Sequence, residues 1–527
     1  MELKKIFLTQ LISYIFYNKI FRDIAIISFF FLSNFVANAN NIQINTVYSS
    51  DKNTTLDFQI VNFNLSWENS WRTTTGPSNW DAAWIFVKYR VSGGDWQHAK
   101  LNSGLNQTAP SGATIDVPSD GIGAFVYRSV PGSGTFSLNN VKLRWNYGQN
   151  SVADDALVEI KVFAIEMVYV PQSSFFLGTS INEGNSFRDG SWVSDATIPF
   201  QILSEASLTM GNQAGNIAWG AAITSASLSA SFPKGYSAFY SMKYEITQGQ
   251  YRDFLNLLTR QQQVGRINTS ITATATSITN RYVMCNSTTP RSNDRNGIRV
   301  PTSFDANSPI TFYCDLDVDD IPNESVDGEW IACNYLNWLD GLAYLDWSGL
   351  RPMTEMEFEK ACRGNQNPVS GEFAWGSNVI SDATTFTNQG TNNETTGIIG
   401  ANTVYWSSTT STGPIRVGAF AGIATNRQQA GATYYGIMEM SGNLTEQVIT
   451  VGNSTGQSFT AINGDGVLST TGLSNQTSWP TSITGGGSRG GSSFTRKEGL
   501  RVSDRSSATT VYSPRYASYG FRGVRRL

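Results

Sequence analysis

The sequence predicts an α+β protein in which an all-β sandwich domain precedes a larger, irregular domain of short helices and long loops. Three observations carry this expectation. Residues 56–165 hold five apolar-alternating segments separated by Gly, Pro, Asn and Ser. Beyond residue 166, helix starts are marked by capping boxes rather than by long periodic runs. Charged residues make up only 15% of the chain, aromatics reach 12% and there are 48 glycines, a mixture that suits an exported, strand-rich and loop-rich protein.

Residues 1–39 read as a signal peptide. Lys4, Lys5, Lys19 and Arg22 form a basic region, residues 24–36 an apolar run, and Ala37-Asn38-Ala39 a small-x-small cleavage site. The apolar run is shorter than the roughly 18 residues a spanning helix needs, so no stable membrane span is expected after cleavage. The expected location is outside the cytoplasm: extracellular, at the cell surface or periplasmic. A net charge of −4 offers no basic surface for nucleic acid.

Residues 40–165 form the expected sandwich domain. Its candidate strands are 56–65, 83–91, 123–130, 136–145 and 156–165, short and bounded by turn residues. Trp67, Trp71, Trp80, Trp84, Trp96 and Trp145 are either core or an aromatic ligand platform. Core is favoured, because burying large rings is a main driving force for a small sandwich. His98, the one histidine of the chain, is expected on a strand surface.

Residues 166–527 form the second domain. Thr247-Gln248-Gly249-Gln250 is a capping box opening a helix through Asn256, with Tyr251, Phe254 and Leu255 on its apolar face. A helix rich in Trp, Tyr and Leu is expected over residues 330–345. Thr354-Glu355-Met356-Glu357 opens another, which ends near Arg363-Gly364. After Trp375 periodicity fades, but interspersed aromatics argue that the loops pack. The four cysteines are Cys285, Cys314, Cys333 and Cys362. Cys285 and Cys314 flank a loop-rich insertion and are a candidate disulfide. Cys333 and Cys362 are expected on helices as small buried side chains.

Catalytic chemistry is constrained by what is missing. One histidine cannot build a three-histidine or two-histidine-one-carboxylate metal site, and His98, expected on a strand surface of the first domain, does not read as the base of a Ser-His or Cys-His nucleophile pair, which leaves Lys as the other candidate base. Glu355, Glu357 and Glu359, spaced along one expected helix, are candidate acid/base groups. Asp315, Asp317 and Asp319 alternate and are followed by Asp320, Asn323 and Glu324. They are either the start of a calcium loop or a solvated acidic loop.

Seven ordered motifs span the second domain: Met167-Val168-Tyr169-Val170-Pro171 with Phe175-Phe176-Leu177-Gly178; Tyr244-Glu245-Ile246-Thr247 through Tyr251; Arg351-Pro352-Met353-Thr354-Glu355 through Arg363-Gly364; Ala374-Trp375-Gly376; Tyr435-Gly436 through Met440-Ser441-Gly442-Asn443; Arg489-Gly490-Gly491-Ser492; and Gly520-Phe521-Arg522. In this order they resemble the formylglycine-generating enzyme family, also called sulfatase-modifying factors. The resemblance implies an irregular C-type-lectin-like fold in which Glu355, Glu357 and Glu359 are structural, capping helices and pairing with arginines, rather than catalytic.

It also implies an active site that this chain lacks. The enzymes oxidise a substrate cysteine with two cysteines of their own that hold copper. Here Thr495 stands at the first cysteine position, and no cysteine follows Cys362. Soft monovalent copper wants thiolates, so copper is not expected. Two calcium sites are implied: one from Glu439, Gly442, Leu444 and Glu446, the other from Asn388 and the carbonyl of Gln389. The face that holds substrate in the enzymes corresponds to Arg489, Arg496, Arg501, Arg505, Tyr512, Arg515 and Tyr516. These are candidate contacts to a peptide, a glycan or a surface protein. The expected function is therefore that of a catalytically degenerate binding or structural module at the cell surface. The alternative is an oxidoreductase with an unrecognised site.

Overall fold

Strand Asp81–Val91 is buried along most of its length, and its alternation explains the architecture. Ala83, Ile85, Val87 and Tyr89 face one core, shared with Val61, Phe63, Trp67, Leu143 and Trp145. Ala82, Trp84 and Phe86 face a second core, built with the helices and loops of the larger region. A strand covered on both faces needs apolar side chains at odd and even positions alike. The computed structural model that gives this arrangement describes residues 41–526 apart from 105, 192–196, 221–222, 323, 408–412 and 423. The expected signal peptide lies outside the described residues.

Two sheets make the N-terminal sandwich. One is four-stranded, in the order Gln43–Asn53, Phe58–Arg72, Gly132–Trp145, Leu101–Asn102. The other is eight-stranded and carries Ala124–Arg128, Asp81–Val91 and Val158–Val170 side by side. The boundary expected at residues 165/166 falls inside Val158–Val170. That strand pairs with Asp81–Val91 from Val91↔Val158 to Asp81↔Val168, and its far end pairs with Phe239–Met242. Phe239–Met242 pairs in turn with Gly523–Arg525 near the C-terminus.

The tryptophans divide. Trp67, Trp84 and Trp145 are fully buried, whereas Trp80 and Trp96 are partly buried. Each buried indole N–H has an acceptor: Trp67 donates to Asp81 Oδ2 (2.9 Å), Trp84 to the Ser348 carbonyl (2.8 Å) and Trp145 to Asn150 Oδ1 (2.8 Å). Paired this way, each ring keeps the roughly 1.5–3 kcal/mol that burial of a large apolar side chain contributes.

The helices expected at Thr247 and Thr354 form as Gln248–Leu255 and Glu355–Arg363, each opened by a complete capping box. The helix expected over residues 330–345 starts later, at Trp338, and runs to Trp347. Asn337 caps it and Asp340 closes its box, while Ile331 and Ala332 bridge to Arg416 and Thr247 instead. Backbone pairing with distant segments thus displaced helix over 330–337. Among the described residues no helix is long and apolar enough to cross a membrane.

His98 is not on a surface. Its strand, Gln97–His98, pairs with Asp81–Val91 at Lys88↔His98. The imidazole is buried, bonds the Ile122 carbonyl through Nε2 and lies parallel to Phe86. Burial, and then the neighbouring Lys88, hold its pKa well below the usual value. The candidate disulfide is also absent: all four cysteines are buried free thiols. Burial pushes Cys285 up to about 11, so these thiols behave as small apolar side chains. Cys333 precedes the helix at Trp338 rather than lying on it.

Candidate functional site

The run from Glu439 to Glu446 turns sharply, with positive φ at Glu439 (56°), Gly442 (92°) and Asn443 (61°). Gly442 is required there, because a Cβ would also approach the Val404 carbonyl to 2.6 Å. Its N–H donates to the Gly490 carbonyl at 2.9 Å. Glu446 then opens strand Glu446–Ile449, which pairs with Gly486–Arg489. The turn thereby docks on the segment that leads to Thr495.

Three buried carboxyls gather at this turn. Glu245 Oε1 accepts the Leu444 N–H (2.9 Å), and its Oε2 accepts the Asn443 side chain. Glu439 Oε1 accepts the Gly418 N–H at 2.8 Å. Glu446 Oε1 accepts Arg522 Nε at 2.7 Å. Glu439 Oε2 and Glu446 Oε2 are buried with no hydrogen-bond partner. Burial pushes Glu439 up to about 7, against the pull of Arg522. Burial and then Glu446 raise Glu245 well above the carboxylate range. Two of these carboxylate oxygens lack donors, but among the described residues the acidic groups whose oxygens all lie within 4.8 Å of one another are elsewhere, on the loop after Cys314. Arg522 is the structural competitor for Glu446.

Asn388 and Gln389 lie on an exposed turn between the short strands Phe386–Thr387 and Thr395–Thr396. The Asn388 side chain reaches the Asn393 carbonyl at 3.4 Å, and its carbonyl accepts the Thr391 hydroxyl at 2.8 Å.

At the position of the family's first cysteine, Thr495 closes a small turn. Its Oγ1 accepts the Ser492 N–H (3.0 Å) and lies 3.2 Å from Ser492 Oγ. The Thr495 carbonyl accepts the Trp406 N–H at 3.0 Å. The donor set at this turn is hydroxyls, which do not fit copper.

The seven expected ligand contacts separate into two kinds. Arg489, Arg505 and Arg515 are committed to carboxylates inside the fold. Arg489 pairs with Glu355 (3.2 Å) and Glu359 (2.7 Å), Arg505 with Glu355 (2.6 Å) and Arg515 with Asp340 (2.6 Å). Arg501 is half-buried, whereas Arg496 is exposed and lies over the Trp406 ring at 5.4 Å. Tyr512 and Tyr516 remain 48% and 45% exposed and meet edge to face at 5.5 Å. Tyr519 packs edge-on to Tyr512 at 5.8 Å and completes an aromatic cluster.

No sequence pattern foreshadows a cavity of about 530 Å³ bordered by Phe86, Arg252, Glu329, Trp330 and Trp347. Its walls come from separate segments, so no local pattern announces it.

A family model described as a sulfatase-modifying factor enzyme 1-like domain matches residues 209–527. No curated protein matches the chain.

Proposed function

The chain belongs to the sulfatase-modifying factor enzyme 1-like family, and from that premise we propose that it is an exported binding module in which the oxidase chemistry has been lost. The observation that carries this reading is the turn at Ser492–Thr495. It offers hydroxyls where the resembled enzymes offer thiols, and the chain's four thiols are all buried elsewhere. A buried thiol with a raised pKa is neither nucleophile nor soft-metal ligand at neutral pH.

The binding surface is the exposed pair Tyr512 and Tyr516, with Arg496 over Trp406 as a separate exposed contact. Exposed tyrosines with rigid rings suit contacts to a glycan or an extended peptide. Beside it, the Glu439–Glu446 centre holds structural calcium. Glu439 Oε2 and Glu446 Oε2 supply side-chain oxygens, Gly442 and Leu444 supply backbone, and the ion offsets the charge crowded with Glu245. Calcium here fixes the turn and performs no chemistry.

The test combines two assays on the full chain. Copper-loaded protein incubated with a cysteine-containing peptide is expected to yield no aldehyde by mass spectrometry. Glycan and peptide arrays are expected to give hits that weaken in the Tyr512→Ala, Tyr516→Ala double variant. Aldehyde formation would return the chain to the oxidases. Blank arrays would leave it a structural part.

A further inference from the structure

A second group of carboxylates lies outside the Glu439–Glu446 centre, on the loop after strand Tyr313–Cys314. Asp315, Asp317 and Asp327 each place a carboxylate oxygen within 4.8 Å of the others, and Asp317, Asp319 and Glu324 do the same. Asp317 belongs to both groups. The chain turns tightly here, with positive φ at Val318 (71°) and Asp320 (69°), so the loop's own turn gathers Asp315, Asp317 and Asp319, and its return brings in Asp327.

Asp315 organises the backbone. Its Oδ1 accepts the N–H groups of Val318 (2.7 Å) and Asp319 (3.2 Å), while Oδ2 accepts Asp320 N–H (3.2 Å) and pairs with Arg299. Asp320 takes Arg281 and Arg299. The arginines of this region are thus committed to Asp315 and Asp320. Among the described residues no lysine or arginine pairs with Asp317, Asp319, Glu324 or Asp327.

Asp327 is the observation that separates this loop from an ordinary acidic surface. Its relative exposure is 0%. One oxygen, Oδ2, accepts the Glu324 N–H at 2.7 Å. The other, Oδ1, is buried with no partner. A buried carboxylate oxygen without a donor is unfavourable, and native folds almost always pair such atoms.

We propose that Asp315, Asp317 and Asp327 bind a calcium ion, with Asp319 and Glu324 completing its shell at the rim. The donor set is oxygen only, which excludes soft metals. It is built from several carboxylates on an irregular loop, which suits the six to eight ligands and flexible geometry of calcium better than the rigid octahedron of magnesium. The ion satisfies Asp327 Oδ1 and offsets the repulsion among side chains that have no basic partner. Because Glu324 and Ser325 also border the cavity of about 530 Å³, the bound ion fixes part of that cavity's rim.

The experiment is a calorimetric calcium titration of the chelator-stripped full chain, compared with Asp317→Asn, Asp327→Asn and, as a reference at the other centre, Glu439→Gln. One binding event is expected to weaken by at least about tenfold in Asp317→Asn, to vanish in Asp327→Asn and to persist in Glu439→Gln. Asp317 is exposed, so its variant decides the matter where Asp327→Asn does not fold. Absence of calcium binding into the millimolar range would overturn the proposal. So would an unchanged affinity and stoichiometry in Asp317→Asn.

Discussion

Arg489 and Glu355 form an ion pair at 3.2 Å in which both side chains are fully buried, although 134 residues separate them. Arg505 meets the same carboxylate at 2.6 Å, and Glu359 bridges Arg489 to Arg363. The helix Glu355–Arg363 is therefore bound to the C-terminal segment by charge as well as by apolar packing. Replacing Glu355 leaves Arg505 buried without a carboxylate partner and Arg489 with Glu359 alone. Glu355→Gln is expected to cost about 3–5 kcal/mol, read as a lower denaturation midpoint at unchanged slope.

The pH dependence of that loss has a definite sign. Burial alone would raise the Glu355 pKa, but Arg505 and then Arg489 carry it below its ordinary value of 4.5. A depressed carboxylate stabilises the fold above its unfolded pKa and loses that contribution as pH falls through its folded pKa. The stability gap between the parent chain and Glu355→Gln should be full at pH 7 and close below about pH 4.5. Denaturation curves at both pH values check it; a gap that widens in acid would contradict the ion-pair account.

Calcium at the Glu439–Glu446 centre should raise the melting temperature. At a concentration about a hundredfold above Kd the gain is about 2.7 kcal/mol. Glu439→Gln keeps an acceptor for the Gly418 N–H but removes the free anionic oxygen, so its calcium-dependent shift should be much smaller. Differential scanning calorimetry with calcium and with chelator reads this directly.

Tyr512→Ala with Tyr516→Ala should change stability by no more than about 1 kcal/mol per site, because both residues are about half exposed and pack chiefly on each other and Tyr519. The same changes should remove most binding to any array ligand. Arg515→Ala should do the reverse, destabilising the fold by leaving the buried Asp340 with Arg266 as its one basic partner.

Gly442→Ala should destabilise the Glu439–Glu446 turn, since it imposes a side chain at φ 92° and against the Val404 carbonyl. The midpoint of unfolding should fall, and calcium should recover part of the loss.

What the sequence determined by itself is local or compositional. The capping boxes at Thr247 and Thr354 are contacts between residues three apart, and the sandwich strands follow from alternation; both formed where expected. The order of the family motifs is also complete in one dimension, as is the absence of any cysteine after Cys362. Tertiary structure decided the rest. It chose which arginines of the C-terminal segment face inward, because Glu355 and Asp340 arrive from more than a hundred residues away. It buried His98, because Lys88 and Ile122 enclose it from other segments. It delayed a helix to Trp338, because residues 331 and 332 found strand partners. It brought Asp327 beside Asp315 and Asp317. Periodicity reports which face of an element is apolar, whereas a buried charge is placed by partners that only the folded chain brings within reach.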